Sequence, residues 1–201
     1  MFTLISMNCK VTSKEELIRR SKEIVKEEGI VSLNMRKLAL KCSISLGTIY
    51  NYFSSKEELI SSTIQDIFKE TMEESLFCFK KTSFIEVVSI FHEKLYTVSE
   101  EYNNFILDHS RIASKENRRV MDYYHEHVKK NLLRILNEDE EIDHSFFDDS
   151  LSKEDYVNFI FSNLIFYVIK KKDFKIVINL IQKTIYKKEQ WYICKLLWRQ
   201  E

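Results

Sequence analysis

Between Leu46 and Lys56 the chain sets Thr48, Tyr50, Asn51 and Tyr52 close together, with Lys56 just behind and no charge from Ser43 to Ser55. These are neutral hydrogen-bond donors followed by a cation. None stands beside a base that could make it a nucleophile. The chemistry open to such a group is donation to anionic oxygens, and phosphate oxygens of a nucleic acid are the commonest acceptors of that kind. Ile49 and Phe53 lie four apart and, with Ile44, form an inward face at helical spacing. That leaves Leu46, Gly47, Thr48, Tyr50, Asn51 and Tyr52 turned outward or to the flanks. Gly47 would let a foreign backbone approach closely.

The elements that must hold this stretch are read from caps and periodicity. Ser13-Lys-Glu-Glu16 is a capping box, in which Ser13 accepts from the Glu16 amide and Glu16 reaches back. Leu17, Ile18, Ser21, Ile24 and Val25 recur on one face, and Gly29 ends that helix. Asn34 caps a second short helix with Leu38, Ala39 and Cys42 inside. Ser45 caps a third over about Leu46 to Tyr52, and a long fourth begins near Lys56. Two short helices joined by a brief turn and braced by a third form a helix-turn-helix, whose second helix enters the DNA major groove. From Asn34 to Lys56 the basic residues are Arg36, Lys37, Lys41 and Lys56 and no residue is acidic, a local charge of +4 in a chain of net charge +0. A local patch is enough to release counterions from DNA.

The run GIVSLNMRKLALKCSISLGTIYNYFSSKEELI resembles the amino-terminal domain of TetR-family transcriptional regulators over residues 12–68. Arg36 and Ala39 match the family's R-x-x-A, and Gly47 through Leu59 match G-T-I-Y-x-Y-F-x-S-K-E-E-L. The resemblance implies that Arg36, Leu46, Gly47 and Thr48 lie nearest base edges, and that Thr48, Tyr50, Tyr52 and Lys56 hold phosphates. The family commonly has glycine in the helix-helix turn; Ser43 stands there and carries a small strain if that position is left-handed.

The rest of the chain is also helical in pattern. The 201 residues hold 0 prolines and 2 glycines, too few breakers for tight hairpins, so an all-α fold is expected. Periodic segments fall at about 83–101, 102–112, 115–138, 153–171 and 174–187, separated by an acidic aperiodic loop at 138–149 and followed by an amphipathic tail. The expected division is a helix-turn-helix domain at 1–55 and a larger helical domain at 56–201. Around 153–171 the helix is apolar on nearly all sides, so it must be buried on more than one. A homodimer interface is expected there from Tyr156, Ile160, Phe161, Leu164, Tyr167, Ile178 and Ile181, and the family resemblance implies the same two helices. An aromatic excess in the middle region suggests a pocket for a small apolar or aromatic effector, with Ile67, Met72, Phe91, Tyr96, Phe105 and Tyr123 as candidate lining.

The sequence holds no glycine-rich phosphate loop, nucleophile elbow or HExxH, so an enzyme is not expected. His125 and His127, two apart on a helix, point about 200° apart and cannot chelate one metal together. His92 and His109 read as structural histidines. The four cysteines form no CxxC pair, and neither a cofactor, a metal nor a membrane span is expected. The expectation is a cytoplasmic repressor that binds a near-palindromic double-stranded operator as a homodimer and is released by its effector. A helical adaptor without specific DNA binding is the alternative.

Overall fold

A computed structural model describes residues 13–76, 83–102 and 115–187, the side chains of 72–76 and 115–117 excepted. The segment expected as a helix at 102–112 and the amphipathic tail lie outside the described residues for almost all of their length. Among the described residues there are eight α-helices and no strand: α1 Lys14–Glu28, α2 Met35–Cys42, α3 Leu46–Tyr50, α4 Lys56–Leu76, α5 Phe84–Glu101, α6 Lys115–Glu138, α7 Lys153–Ile169 and α8 Lys175–Ile185. The expected all-α architecture is therefore present.

Packing divides the chain into two compact units, Met1–Glu70 with Glu100–Met121, and Thr71–Ser99 with Asp122–Glu201. In the first unit the periodic residues close a small core. Leu17, Ile24, Val25, Leu33, Leu38, Ile49, Phe53, Leu59 and Ile64 are each at most 1% exposed. The first half of α4 belongs to this unit, because Leu59, Ile60, Ile64 and Ile67 point into it.

In the second unit, α5, α6, α7 and α8 contribute Phe84, Val88, Leu136, Ile160, Leu164, Val168, Ile181 and Ile185 to the core. The acidic loop is only partly a solvated loop. Asp139 accepts from the Phe84 amide at 2.8 Å and from the Tyr186 phenol at 2.7 Å, while the Tyr186 oxygen accepts from the Ile85 amide at 3.1 Å. Two amides at the start of α5 that have no partner inside the helix are satisfied in this way. Burial first, then the Asp139 carboxylate, pushes the Tyr186 phenol well above its ordinary range. Asp143 and Asp148 do stay at the surface, each closing a tight turn onto Ser145 and Ser150.

Candidate nucleic-acid interface

The first three helices start on the residues the sequence nominates, and Ser55 caps the fourth. Ser13 accepts from the Glu16 amide at 3.2 Å, Asn34 from Lys37 at 3.0 Å, Ser45 from Thr48 at 3.1 Å and Ser55 from Glu58 at 3.1 Å. One expected partner differs. The Glu16 carboxylate does not reach back to Ser13 but accepts from Arg19 and Arg20, because guanidinium groups three and four residues on offer charge-assisted bonds. Between α2 and α3, Ser43 takes φ 54 and ψ 39, the left-handed conformation, and its amide closes on Leu40. Ile44 follows with a bond to Ala39, which fixes the crossing of the two helices.

This turn sets the exposed face of α3. Ile49 and Phe53 are fully buried, as their spacing requires. Gly47, Tyr50 and Asn51 are exposed, and Leu46, Thr48 and Tyr52 are half-buried. Tyr50 is 53% exposed, so its phenol is free to meet a partner. Thr48 and Ser45 share a hydroxyl-hydroxyl bond of 2.9 Å that orients the Thr48 side chain. A Cβ added at Gly47 would meet only the Ser45 Oγ, at 3.8 Å, and its φ is not positive. Nothing among the described residues requires glycine there, so the flat spot it leaves is a feature of the outer surface.

The +4 cluster is not uniform. Lys37 is paired with Glu28, and Lys41 lies 2.8 Å from Glu27 and 3.7 Å from Glu23. All three glutamates are on α1. Arg36 and Lys56 are exposed and make no ion pair among the described residues, so they carry the cationic part of this face. Lys56 opens α4, and Glu58 anchors the corner that presents it. Glu58 accepts from the Ser54 amide and hydroxyl at 2.7 Å each and from Lys14 at 3.0 Å. The Ser54 amide, then its hydroxyl and Lys14, hold the Glu58 carboxyl down at about 2.

The expected dimer residues need correcting. Ile160, Leu164 and Ile181 are fully buried within the single chain, and Tyr156 and Phe161 are 6% and 7% exposed. Such side chains have no area to offer a second copy. Tyr156 instead packs against Phe84, Phe146 and Phe147. Tyr167 and Ile178 remain half-buried. The free apolar side of the same two helices consists of Phe159, Phe166, Ile176 and Leu180, each 47–65% exposed. A groove of about 480 Å³ is lined by Phe159, Ile176 and Leu180 of these, together with Asn163, Tyr167, Val177, Asn179 and Lys183. The sequence missed Phe159 and Phe166 because α7 is apolar all round, which leaves its inward side undetermined.

Of the expected pocket residues, Ile67 is buried in the first unit, while Phe91 is buried and Tyr96 half-buried in the second. Tyr123 is corrected: at 66% exposure it stacks beside His127 and meets Tyr124 edge-on at the surface, not in a wall. The Met72 side chain and Phe105 lie outside the described parts. His92 stacks on Phe174 at 4.4 Å and lies beside Tyr96, with its Nε2 buried and unpartnered among the described residues. Among the described residues no helix is long and apolar enough to cross a membrane, and no His/Cys/Asp/Glu group is arranged to hold a metal.

The geometry of α1 to α4 defines a helix-turn-helix with an uncharged, donor-rich outer helix. Residues 17–63 match the family model described as bacterial regulatory proteins, tetR family. The HTH-type transcriptional regulator UidR of Escherichia coli K12 is 36% identical over 52 residues, 26% of each chain. An HTH-type transcriptional regulator of Haemophilus influenzae is 33% identical over 58 residues, 29% of this chain and 31% of that protein. The chain thus spans about a quarter of the length of the curated relatives it matches.

The fold likeness extends further. A TetR family protein from Vibrio parahaemolyticus matches with TM-score 0.60 and 16% identity, over 87% of this chain and 98% of that one. FadR from Bacillus subtilis, crystallised in complex with stearoyl-CoA, matches with TM-score 0.62 and 19% identity, over 85% and 96%. The amino-terminal helix-turn-helix thus matches the tetR family model over residues 17–63, and the fold is all-helical and TetR-like.

Proposed function

We propose that this protein is a repressor that binds a near-palindromic operator as a homodimer and leaves it when a small apolar effector binds. The observation that carries the reading is the outer face of α3. Gly47 is unneeded by the fold, Tyr50 is half-exposed, and Arg36 and Lys56 flank them without ion pairs among the described residues. In this assignment Arg36, Leu46, Gly47 and Thr48 face base edges. Thr48, Tyr50, Tyr52 and Lys56 hold phosphates, with Asn51 beside them. The start of α4 adds its own positive dipole end at Lys56.

The dimer is proposed to form through the outer side of α7 and α8, where Phe159, Phe166, Ile176 and Leu180 are exposed together. Two copies would place their α3 helices about one turn of DNA apart, or a multiple of it, and so call for a near-palindrome. The effector is proposed to bind in the helical region beyond the helix-turn-helix, which takes residues 1–55 as the DNA-binding domain and 56–201 as the sensing domain. Phe91, Tyr96 and the unpartnered His92 Nε2 supply an apolar setting with one polar anchor. The fold likeness to a FadR crystallised with stearoyl-CoA supports an acyl-type ligand. A coupling of about 1–3 kcal/mol would change operator occupancy by roughly 5- to 150-fold. The proposed setting is the cytoplasm, where the DNA is.

The test is selection of bound duplexes from a random pool, followed by titration of the winner. A near-palindromic consensus is expected, with affinity lowered about equally on every duplex by Tyr50→Phe, since a phosphate contact carries little sequence information. Unchanged affinity in the double variant Tyr50→Phe/Lys56→Ala would remove this face from the interface.

A further inference from the structure

The basic cluster of the helix-turn-helix is split between two faces of α2. Arg36 and Leu40 are four apart, and both are exposed, Leu40 at 81%. Lys37 and Lys41 are also four apart, so they share the neighbouring face, about 100° round the helix. That face is turned to the last turns of α1. There Glu28 takes the Lys37 ammonium, and Glu27 takes the Lys41 ammonium with both carboxylate oxygens at 2.8 Å. Glu23 stands 3.7 Å from the same ammonium. The Lys37 and Lys41 side chains are only 32% and 22% exposed, so both stems are laid down against the domain.

We infer that Glu27 and Glu28 set how strongly this domain is drawn to DNA of any sequence, by withholding Lys37 and Lys41 from the phosphates. The inference rests on the DNA-binding assignment above and adds a second control to it. Binding to arbitrary DNA is driven by counterion release, and each phosphate neutralised adds about 0.9 to the slope of log affinity against log salt. A lysine already neutralised by a carboxylate releases no counterion, and the carboxylate repels an approaching phosphate. The drive from this domain then comes from Arg36 and Lys56, with Tyr50, Tyr52 and Thr48 as neutral contacts that leave the slope unchanged. A domain built this way relies on the shape and donors of α3 more than on charge, which disfavours the excess of arbitrary sites over the specific one.

The experiment uses the full chain and a random-sequence 30-base-pair duplex, titrated by fluorescence anisotropy from 50 to 200 mM KCl. The double variant Glu27→Gln/Glu28→Gln should bind tighter at 50 mM, with a slope steeper by up to about 1.8 per bound chain. Its advantage should then shrink by roughly tenfold across that salt range. Glu15→Gln/Glu57→Gln changes the net charge equally but releases no lysine, and should leave the slope near the wild-type value. Adding Lys37→Gln/Lys41→Gln to the Glu27/Glu28 variant should cancel the gain and return the slope to the wild-type value. Equal slopes in the Glu27/Glu28 variant and the wild type would overturn the inference. So would an equal rise in the Glu15/Glu57 control, or a gain that survives removing the two lysines from the Glu27/Glu28 variant. If the wild type fails to bind the duplex even at 50 mM, the DNA-binding assignment itself falls.

Discussion

Lys14 and Glu58 join the first turn of α1 to the first turn of α4, with 3.0 Å between Nζ and Oε1 and the Lys14 ammonium 5.0 Å above the Phe53 ring. The pair clamps the segment that ends the helix-turn-helix and begins the long helix carrying Lys56. The other Glu58 oxygen holds the Ser54 amide and hydroxyl, so one carboxylate serves three donors.

Glu58→Gln should therefore loosen this corner, lowering the stability of the amino-terminal unit by about 1 kcal/mol, the usual worth of a cap. The Glu58 carboxyl is depressed to about 2 in the folded chain. Its contribution is thus complete above the ordinary glutamate range and is lost as the pH falls toward about 2. Urea midpoints at pH 7 and pH 3 should differ less in Glu58→Gln than in the wild type; an identical pH response would refute the assignment.

Gly47→Ala separates folding from binding. Ala is the better helix residue by about 0.5–1 kcal/mol, and a Cβ here meets only ordinary contact with Ser45. The variant should melt at the same temperature or higher, yet bind the selected operator several-fold more weakly. An Ala variant that folds and binds like the wild type would show that no DNA backbone or base approaches Gly47.

Opposite sides of α7 and α8 should respond in opposite ways to charge. Phe166→Glu or Leu180→Glu places a carboxylate on a side chain 47% exposed and should leave a folded monomer by sedimentation. Phe161→Glu, at 7% exposure, puts it into the core and should cost about 3 kcal/mol or more, giving unfolded or aggregated chain. A Leu180→Glu and Phe166→Glu pair that both sediment like the wild type would place the dimer contact elsewhere.

Acid should weaken the second unit through two histidines. Burial lowers the affinity of His92 and His125 for a proton, against the opposing pull of Asp173 and Glu93 on the first and of Asp122 and Glu126 on the second. A depressed histidine means that the unfolded chain binds the proton more readily. The stability is present above about pH 6.5 and is lost as the pH falls below it. Urea midpoints should drop between pH 7.5 and 5.5, and His92→Leu should flatten that drop; a variant with the wild-type slope would exclude His92 as a cause.

The local part of this structure was legible in the sequence because capping and periodicity act within a few residues. Ser13, Asn34 and Ser45 cap where they were expected to, Ile49 and Phe53 are buried, and Ser43 takes the left-handed conformation that the sequence had raised as a condition. The exposed donors of α3 follow from the same spacing. What only the tertiary structure decided are the relations between residues far apart in the chain. Lys37 and Lys41 counted as free positive charge until α1 was seen to bring Glu28, Glu27 and Glu23 against them. Asp139 read as one more acid in a solvated loop, yet it caps α5 together with Tyr186, 47 residues away. The helix α7 shows the limit most clearly. With apolar residues on every side, its period marks no inward direction, so Phe161 and Phe159 are equivalent in sequence. Only the packing of α5, α6 and α8 buries the first at 7% and leaves the second half-exposed.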